Sequence, residues 1–198
     1  MKTKHPREQA MTVALELESR LSPHCDRLQI AGSLRRGNER VSDVEIIYIP
    51  KLETIPEPGA LFGDIEVNRT AEAIDRLIAD GVLAKREKVD GNHTWGNEIK
   101  LAVHLDSGIP VDLFATRRDW WAGYLACRTG PKELNTLVAQ RAIDRGLNWN
   151  PFRGCFTRQS GSDPFLIHKE SDVFTIVGLE CLPPEQRDQQ AETLTRSS

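Results

Sequence analysis

Asp43, Glu45 and Asp112 are the residues whose types and spacing could do chemistry. Asp43 and Glu45 lie two apart at the head of the run Val44-Glu45-Ile46-Ile47-Tyr48-Ile49, which is rich in β-branched residues. Side chains two apart on a strand share a face and stand roughly 7 Å apart along the chain, so the pair projects from one side. Asp112 sits in a second apolar run, Ile109-Pro110-Val111-Asp112-Leu113-Phe114. A buried carboxylate there costs several kcal/mol or more unless a cation compensates it, and three converging oxygen donors suit Mg²⁺ or Mn²⁺. Upstream, Ile30-Ala31-Gly32-Ser33-Leu34-Arg35-Arg36-Gly37 carries a strand into a glycine turn with one hydroxyl and two arginines. The parts together describe metal-assisted phosphate chemistry.

Each part also has an ordinary structural reading. An isolated Asp-x-Glu is commonly a solvated strand, Gly-Ser a simple turn, and Arg-Arg a surface pair. Asp112 has its own alternative, a salt bridge to Arg35 or Arg36. The order and spacing of the parts favour the chemical reading.

The surrounding elements must bring these residues together. Pro6 opens a helix whose Met11, Ala14, Leu15 and Leu21 keep helical spacing until Ser22-Pro23. A first strand is expected at 27–31 and a second, apolar on both faces and so central, at 44–49. The proline-containing stretch 51–58 reads as a loop. A helix capped by Thr70 is expected to run to Gly81, with Ala73, Ile74, Leu77 and Ile78 as its core stripe. Residues 85–97 read as irregular, with His93 and Trp95 as loop residues and not ligands. The stretch 98–105 alternates and turns through Asp106-Ser107-Gly108 into the Asp112 strand, a hairpin that returns the third acid to the first two. From Asp119 the character becomes helical. Trp120, Trp121 and Tyr124 read as an apolar cluster, with base stacking as the alternative. A helix is expected at 132–145, closed by Gly146, then a hairpin over 155–167 turning at Ser160-Gly161-Ser162-Asp163-Pro164, and a short helix at 171–178. Residues beyond about 187 lack periodic apolar positions and read as a mobile tail.

Gly32-Ser33 followed by Ser42-Asp43-Val44-Glu45 resembles the nucleotidyltransferase superfamily. Gly32-Ser33-Leu34-Arg35-Arg36-Gly37 looks more specifically like the family X DNA polymerases, the polymerase beta group. Further along, Thr129-Gly130 with Asn135 five residues later, Gly146-Leu147-Asn148-Trp149-Asn150, Asp172-Val173-Phe174 with Gly178-Leu179, and Pro183-Pro184-Glu185 resemble that family's C-terminal part. The resemblance implies an α+β protein: a nucleotidyltransferase palm with a mixed sheet and flanking helices at 1–118, a small helical and hairpin lobe facing nucleotide and template at 119–187, and a flexible tail at 188–198. It implies two Mg²⁺ or Mn²⁺ ions held by catalytic Asp43, Glu45 and Asp112. It implies nucleotide contacts from Gly32, Ser33, Arg36, Thr129, Gly130 and Asn135. Apart from the resemblance, the planar donor fork of Arg128 suits triphosphate or primer phosphate oxygens, with a surface pair to Glu133 as the alternative, and Lys132 is left free on its helix to face a nucleic-acid groove. The implied reaction adds nucleoside monophosphates from (d)NTPs to the 3′ hydroxyl of primer/template or gapped DNA, as in gap-filling repair or terminal transfer. A nucleotidyltransferase acting on tRNA, protein or a small molecule is the alternative, as is a catalytically silent nucleic-acid-binding module. The chain departs from the family's pattern at Glu45 (usually Asp), at Cys127-Arg128 (an aromatic residue usually precedes Thr-Gly), and at Pro110, where a basic residue often precedes the third acid.

Composition bounds the setting. The chain has 198 residues and a net charge of −3, so basic groups would have to cluster locally to meet nucleic acid. No apolar run approaches the ~20 residues of a membrane span. Cys25, Cys127, Cys155 and Cys181 are scattered without a Cys-x-x-Cys pair, which argues against zinc and for reduced thiols. The expectation is a cytoplasmic monomer of bacterial or phage type with no membrane contact. It resembles a bare catalytic core, without a lyase or helix-hairpin-helix module, that would rely on a DNA-targeting protein partner.

Overall fold

The structure, a computed structural model, describes residues 3–57, 59, 63–87, 91–161 and 165–196. The protein is α+β, and the chain divides into two compact units: residues 1–30 with 42–115, and residues 31–41 with 116–198. Residues 31–41, which hold the Gly-Ser-Leu-Arg-Arg-Gly motif, therefore pack with the C-terminal unit although they lie inside the 1–118 stretch.

The first unit is built on a mixed five-stranded sheet. Its strands are β1 (Cys25–Ile30), β2 (Val44–Pro50), β5 (Leu83–Lys85), β6 (Ile99–His104) and β7 (Pro110–Ala115), in the order β1-β2-β7-β6-β5. Only the β2–β7 pairing is parallel. β2 is central, as its run of buried Val44, Ile46, Ile47, Tyr48 and Ile49 predicts. Helix α1 (Arg7–Leu21) buries Ala10, Val13, Ala14, Leu17 and Leu21, and α2 (Arg69–Ala79) buries Ala73, Ile74 and Leu77. Glu16 of α1 lies 3.4 Å from His104 Nε2, which places α1 over the sheet face carrying Lys100, Ala102 and His104. Pairing partners share a face, so Val44, Ile46, Val111 and Leu113 lie under the same helix. Glu45 and Asp112 point to the opposite face.

Two expectations fail in this unit. The stretch 51–58, taken as a loop, forms β3 (Leu52–Pro56), paired antiparallel with β4 (Asp64–Asn68); residue 58 lies outside the described residues. Its one proline, Pro56, is the last residue of the strand, where a missing N–H is tolerated. The cap of α2 is Asn68, whose side chain accepts from Ala71 N at 2.9 Å. Thr70 is instead a buried strut: its hydroxyl accepts from Lys51 N at 3.0 Å and donates to His24 O. Residues 85–97 are irregular as expected, apart from Lys85 at the end of β5 and single bridges of Glu87 with His93 and Trp95 with Lys100; 88–90 lie outside the described residues.

The second unit packs α3 (Trp121–Thr129), α4 (Lys132–Ile143), α5 (Glu170–Ile176) and α6 (Arg187–Arg196) with a small antiparallel sheet of β8 (Leu147–Asn150), β9 (Cys155–Arg158) and β10 (Phe165–Leu166). Its core gathers Leu134, Val138, Ala142, Phe156, Ile167, Val173, Phe174 and Val177. Phe156 stacks between Trp149 and Phe165, with centroids 6.3 and 5.8 Å away. Trp121 and Tyr124 are buried, in keeping with the apolar cluster. The hairpin of β9 and β10 stands where expected, while part of its turn, 162–164, lies outside the described residues.

The expected mobile tail is corrected over 188–196, while 197 and 198 lie outside the described residues. Residues 187–196 form α6, with Arg187 and Ala191 buried and Leu194 packed on the core. The helix carries too few apolar positions to show a periodic stripe; packing against the core stabilises it, not propensity.

Candidate functional site

In the first unit the pairing register makes the site. Glu45 on β2 stands directly opposite Asp112 on β7. In a parallel pair, residues in register present their side chains to the same face, so the two carboxylates are neighbours. Asp43 immediately precedes β2, one residue outside the ladder. Two like charges at facing positions repel, so this pair carries a standing electrostatic cost unless a cation is at hand. Arg86, just beyond β5, provides one: its Nη2 lies 2.8 Å from Asp112 Oδ1. Asp112 therefore does take part in a salt bridge, and the arginine at 2.8 Å is Arg86, from the same unit. Nothing in the sequence singled out Arg86, which stands in the charged run Lys85-Arg86-Glu87-Lys88.

The fit of these residues to a divalent cation has two sides. The donor set is all oxygen, the type a hard cation takes, and Glu45 and Asp112 share one face. Yet among the described residues no group of three or more His, Cys, Asp or Glu side chains is gathered to hold an ion. Chemistry and register suit a metal, while the side-chain arrangement leaves Asp112 engaged by Arg86.

The remaining candidate residues lie in the second unit. Gly32–Arg35 forms a single helical turn after Ala31, with Gly32 at φ 62°, a left-handed conformation that favours glycine. Ser33 is half-buried at this turn. Arg36 donates from Nε to Asp188 Oδ1 at 2.9 Å and from Nη1 to the carbonyl of Thr129. A Cβ on Gly130 would stand 3.3 Å from Arg36 Nη1, so a glycine there admits the guanidinium. Arg36, Thr129 and Gly130, grouped on sequence alone, are thus in contact. Asn135 is turned inward and donates from Nδ2 to Cys127 O at 2.7 Å, tying the start of α4 to the end of α3. Lys132 is exposed on the first turn of α4. The Arg128 guanidinium carbon lies 5.2 Å from the Tyr124 ring centroid and 5.7 Å from that of Phe152, and its Nη2 donates to the Tyr124 hydroxyl at 3.3 Å.

Arg35 is the structural member of the arginine pair. It donates to both Glu170 oxygens at 2.9 Å and to the Thr129 hydroxyl. The same Glu170 accepts from buried Arg187 at 2.7 Å. Burial pushes the Glu170 carboxyl up, but hydrogen bonds and charge from Arg35 and Arg187 prevail and hold it below the usual carboxylate range. Sequence reading missed Glu170, Arg187 and Asp188; only the fold brings them to the Arg-Arg pair.

Comparison with known families places residues 124–188, about a third of the chain, on the family model described as the DNA polymerase beta thumb. The match covers the second unit from within α3 to the start of α6. The C-terminal unit is therefore similar to a polymerase beta thumb, and the α+β architecture of the whole is consistent with a fold of that kind. Comparison with curated proteins gives no match. Among the described residues no helix is long and apolar enough to cross a membrane.

Proposed function

We propose that the protein is a metal-dependent nucleotidyltransferase that adds nucleoside monophosphates from (d)NTPs to the 3′ hydroxyl of DNA, as a minimal gap-filling polymerase of the polymerase beta type. The observation that carries this reading is the register of Glu45 opposite Asp112 on one sheet face, in a chain whose C-terminal unit matches a polymerase beta thumb. Asp43, Glu45 and Asp112 would hold Mg²⁺ or Mn²⁺. Bound there, divalent ions lower the pKa of an attacking hydroxyl and stabilise charge on the transferring phosphoryl group.

The chain's own residues account for binding and orientation. Ser33 offers a hydroxyl and Arg36 a planar fork of donors suited to triphosphate oxygens. Arg36 has five N–H groups, so it can keep its bond to Thr129 O while turning others to phosphate. Thr129, Gly130 and Asn135 shape the turn that faces sugar and base, and exposed Lys132 meets the nucleic-acid backbone. This assignment makes the thumb-like unit the DNA-gripping part and the carboxylate row the reacting part. Gapped duplex, (d)NTP and a DNA-targeting protein are the proposed partners, with a monomer in an intracellular setting.

One observation favours a second reading, a catalytically silent nucleic-acid-binding module: Asp112 is held by Arg86, and three carboxylates are not gathered. Incubating the protein with labelled primer, gapped duplex or tRNA, each nucleotide in turn, and Mn²⁺ separates the readings. Extension of the gapped duplex supports the proposal. Transfer to tRNA alone moves the acceptor class, and DNA binding without transfer favours the silent module.

A further inference from the structure

The row that crosses the carboxylate face of the sheet reads Glu45, Asp112, Leu101 and Arg86. Glu45 pairs with Asp112, Asp112 pairs with Leu101, and Arg86 N bonds Leu101 O at 2.9 Å just past the end of β5. Arg86 therefore stands two strands from Asp112, with Leu101 between them. Its long side chain crosses that gap and brings Nη2 to 2.8 Å from the carboxylate. The contact is partly shielded: the Asp112 side chain is 15% exposed and that of Arg86 29%. Pro110, two before Asp112 on the same strand face, has no charge to offer, so compensation comes from a neighbouring strand.

We propose that Arg86 is the resident counter-cation of this carboxylate row and competes with divalent metal for Asp112. The inference rests on the reading of Asp43, Glu45 and Asp112 as metal ligands, and it goes further by naming what holds the site when metal is scarce. A cation 2.8 Å from a carboxylate oxygen lowers that oxygen's attraction for a second, more highly charged cation. Removing it strengthens metal binding and takes away one attraction that offsets the repulsion between the carboxylates in metal-free protein. Arg86 thus exchanges metal affinity for stability of the metal-free fold. A ligand that binds only the folded state raises stability in proportion to its affinity, so the two effects are read in one thermal experiment.

The test uses the full chain and Mn²⁺ as probe, with bound ion counted by electron paramagnetic resonance of the free ion. Arg86→Met keeps an apolar stem over Leu101 while removing charge. The expected result is Mn²⁺ binding about tenfold tighter than wild type, a lower Tm in chelator, and a larger Tm rise on adding Mn²⁺. Equal or weaker binding by Arg86→Met overturns the proposal, provided that wild type binds Mn²⁺ and Asp112→Asn does not; the metal reading then survives. If neither wild type nor Arg86→Met binds more tightly than Asp112→Asn, the metal reading falls and the proposal with it. Should Arg86→Met fail to fold, the wild type answers the question: the Nε–Hε resonance of Arg86, followed by NMR during a MgCl₂ titration, moves toward the value of a solvated arginine. An unmoved resonance at saturation overturns the proposal.

Discussion

Glu45 and Asp112, 67 positions apart in the chain, face each other across the parallel β2–β7 pairing. Their side chains share the sheet face opposite the one that α1 covers. Packing does not account for two acids there: an apolar pair would serve the sheet better, since like charges at facing positions repel. The hairpin of β6 and β7 returns Asp112 to the side of Glu45, and the sheet holds the pair in place whether or not a cation is bound. A rigid scaffold of this kind suits a task that needs fixed ligand spacing.

Glu45 is one methylene longer than the aspartate it replaces in the family's pattern. We expect Mn²⁺, which tolerates less regular coordination, to support higher transfer activity than Mg²⁺. Glu45→Asp is expected to shift the balance back toward Mg²⁺. Steady-state rates with each ion, for both proteins, check this; equal rates in the wild type count against it.

The Arg35–Glu170–Arg187 network is predicted to be the main polar strut of the C-terminal unit. Glu170→Ala leaves two guanidinium groups short of their acceptor and is expected to destabilise the fold by about 3–5 kcal/mol in urea unfolding. A loss below about 1 kcal/mol would show the network to be surface-like.

Glu170 also sets a pH dependence. Its folded carboxyl titrates below the ordinary glutamate value, so its contribution is full above about pH 4.3 and is lost as pH falls through the depressed folded value. Urea midpoints between about pH 6 and about pH 3 should fall more steeply for wild type than for Glu170→Gln, which cannot titrate there. Parallel profiles would mean that the two arginines do not hold the carboxyl down.

Arg128 is taken up by Tyr124 and Phe152, which bears on nucleotide selection. Arg128→Ala is expected to cost about 0.5–2 kcal/mol of stability through the lost cation–π contacts while leaving the KM for dNTP nearly unchanged. The unusual Cys127-Arg128 pair before Thr129-Gly130 is expected to leave sugar discrimination weak, under about a thousandfold or ~4 kcal/mol. Comparing dNTP and rNTP insertion in both proteins decides this. A higher ratio defeats the weak-gate idea, and a large KM rise in Arg128→Ala restores a phosphate contact.

What was legible in the sequence followed from strong local periodicity. The apolar run after Asp43 announced a central strand, the alternation at 98–105 with Asp-Ser-Gly announced the hairpin that delivers Asp112, and Pro6 and Gly146 marked helix ends. The motif Gly32-Ser33-Leu34-Arg35-Arg36-Gly37 was readable, but its packing was not: that Arg35 meets Glu170 and Arg36 meets Asp188 depends on contacts over more than a hundred residues. Prolines hid β3, because the one within the strand, Pro56, is its last residue, where a missing N–H is tolerated. α6 was hidden because its burial comes from Arg187, Ala191 and Leu194 and not from an apolar stripe. Arg86 was hidden for a similar reason, since a basic residue in a charged run gives no sign that it reaches across Leu101 to an acid.

The central claim is that Asp112 is a catalytic carboxylate, and the most direct measurement is single-nucleotide incorporation into a gapped DNA duplex with Mn²⁺ by wild type and by Asp112→Asn. The exchange keeps the side chain's shape while removing its charge. The expected result is a product one nucleotide longer with wild type and at least a thousandfold slower transfer with Asp112→Asn, with circular dichroism unchanged. Asp112→Asn protein that retains most of the wild-type rate, or wild-type protein that extends no acceptor, would contradict the account.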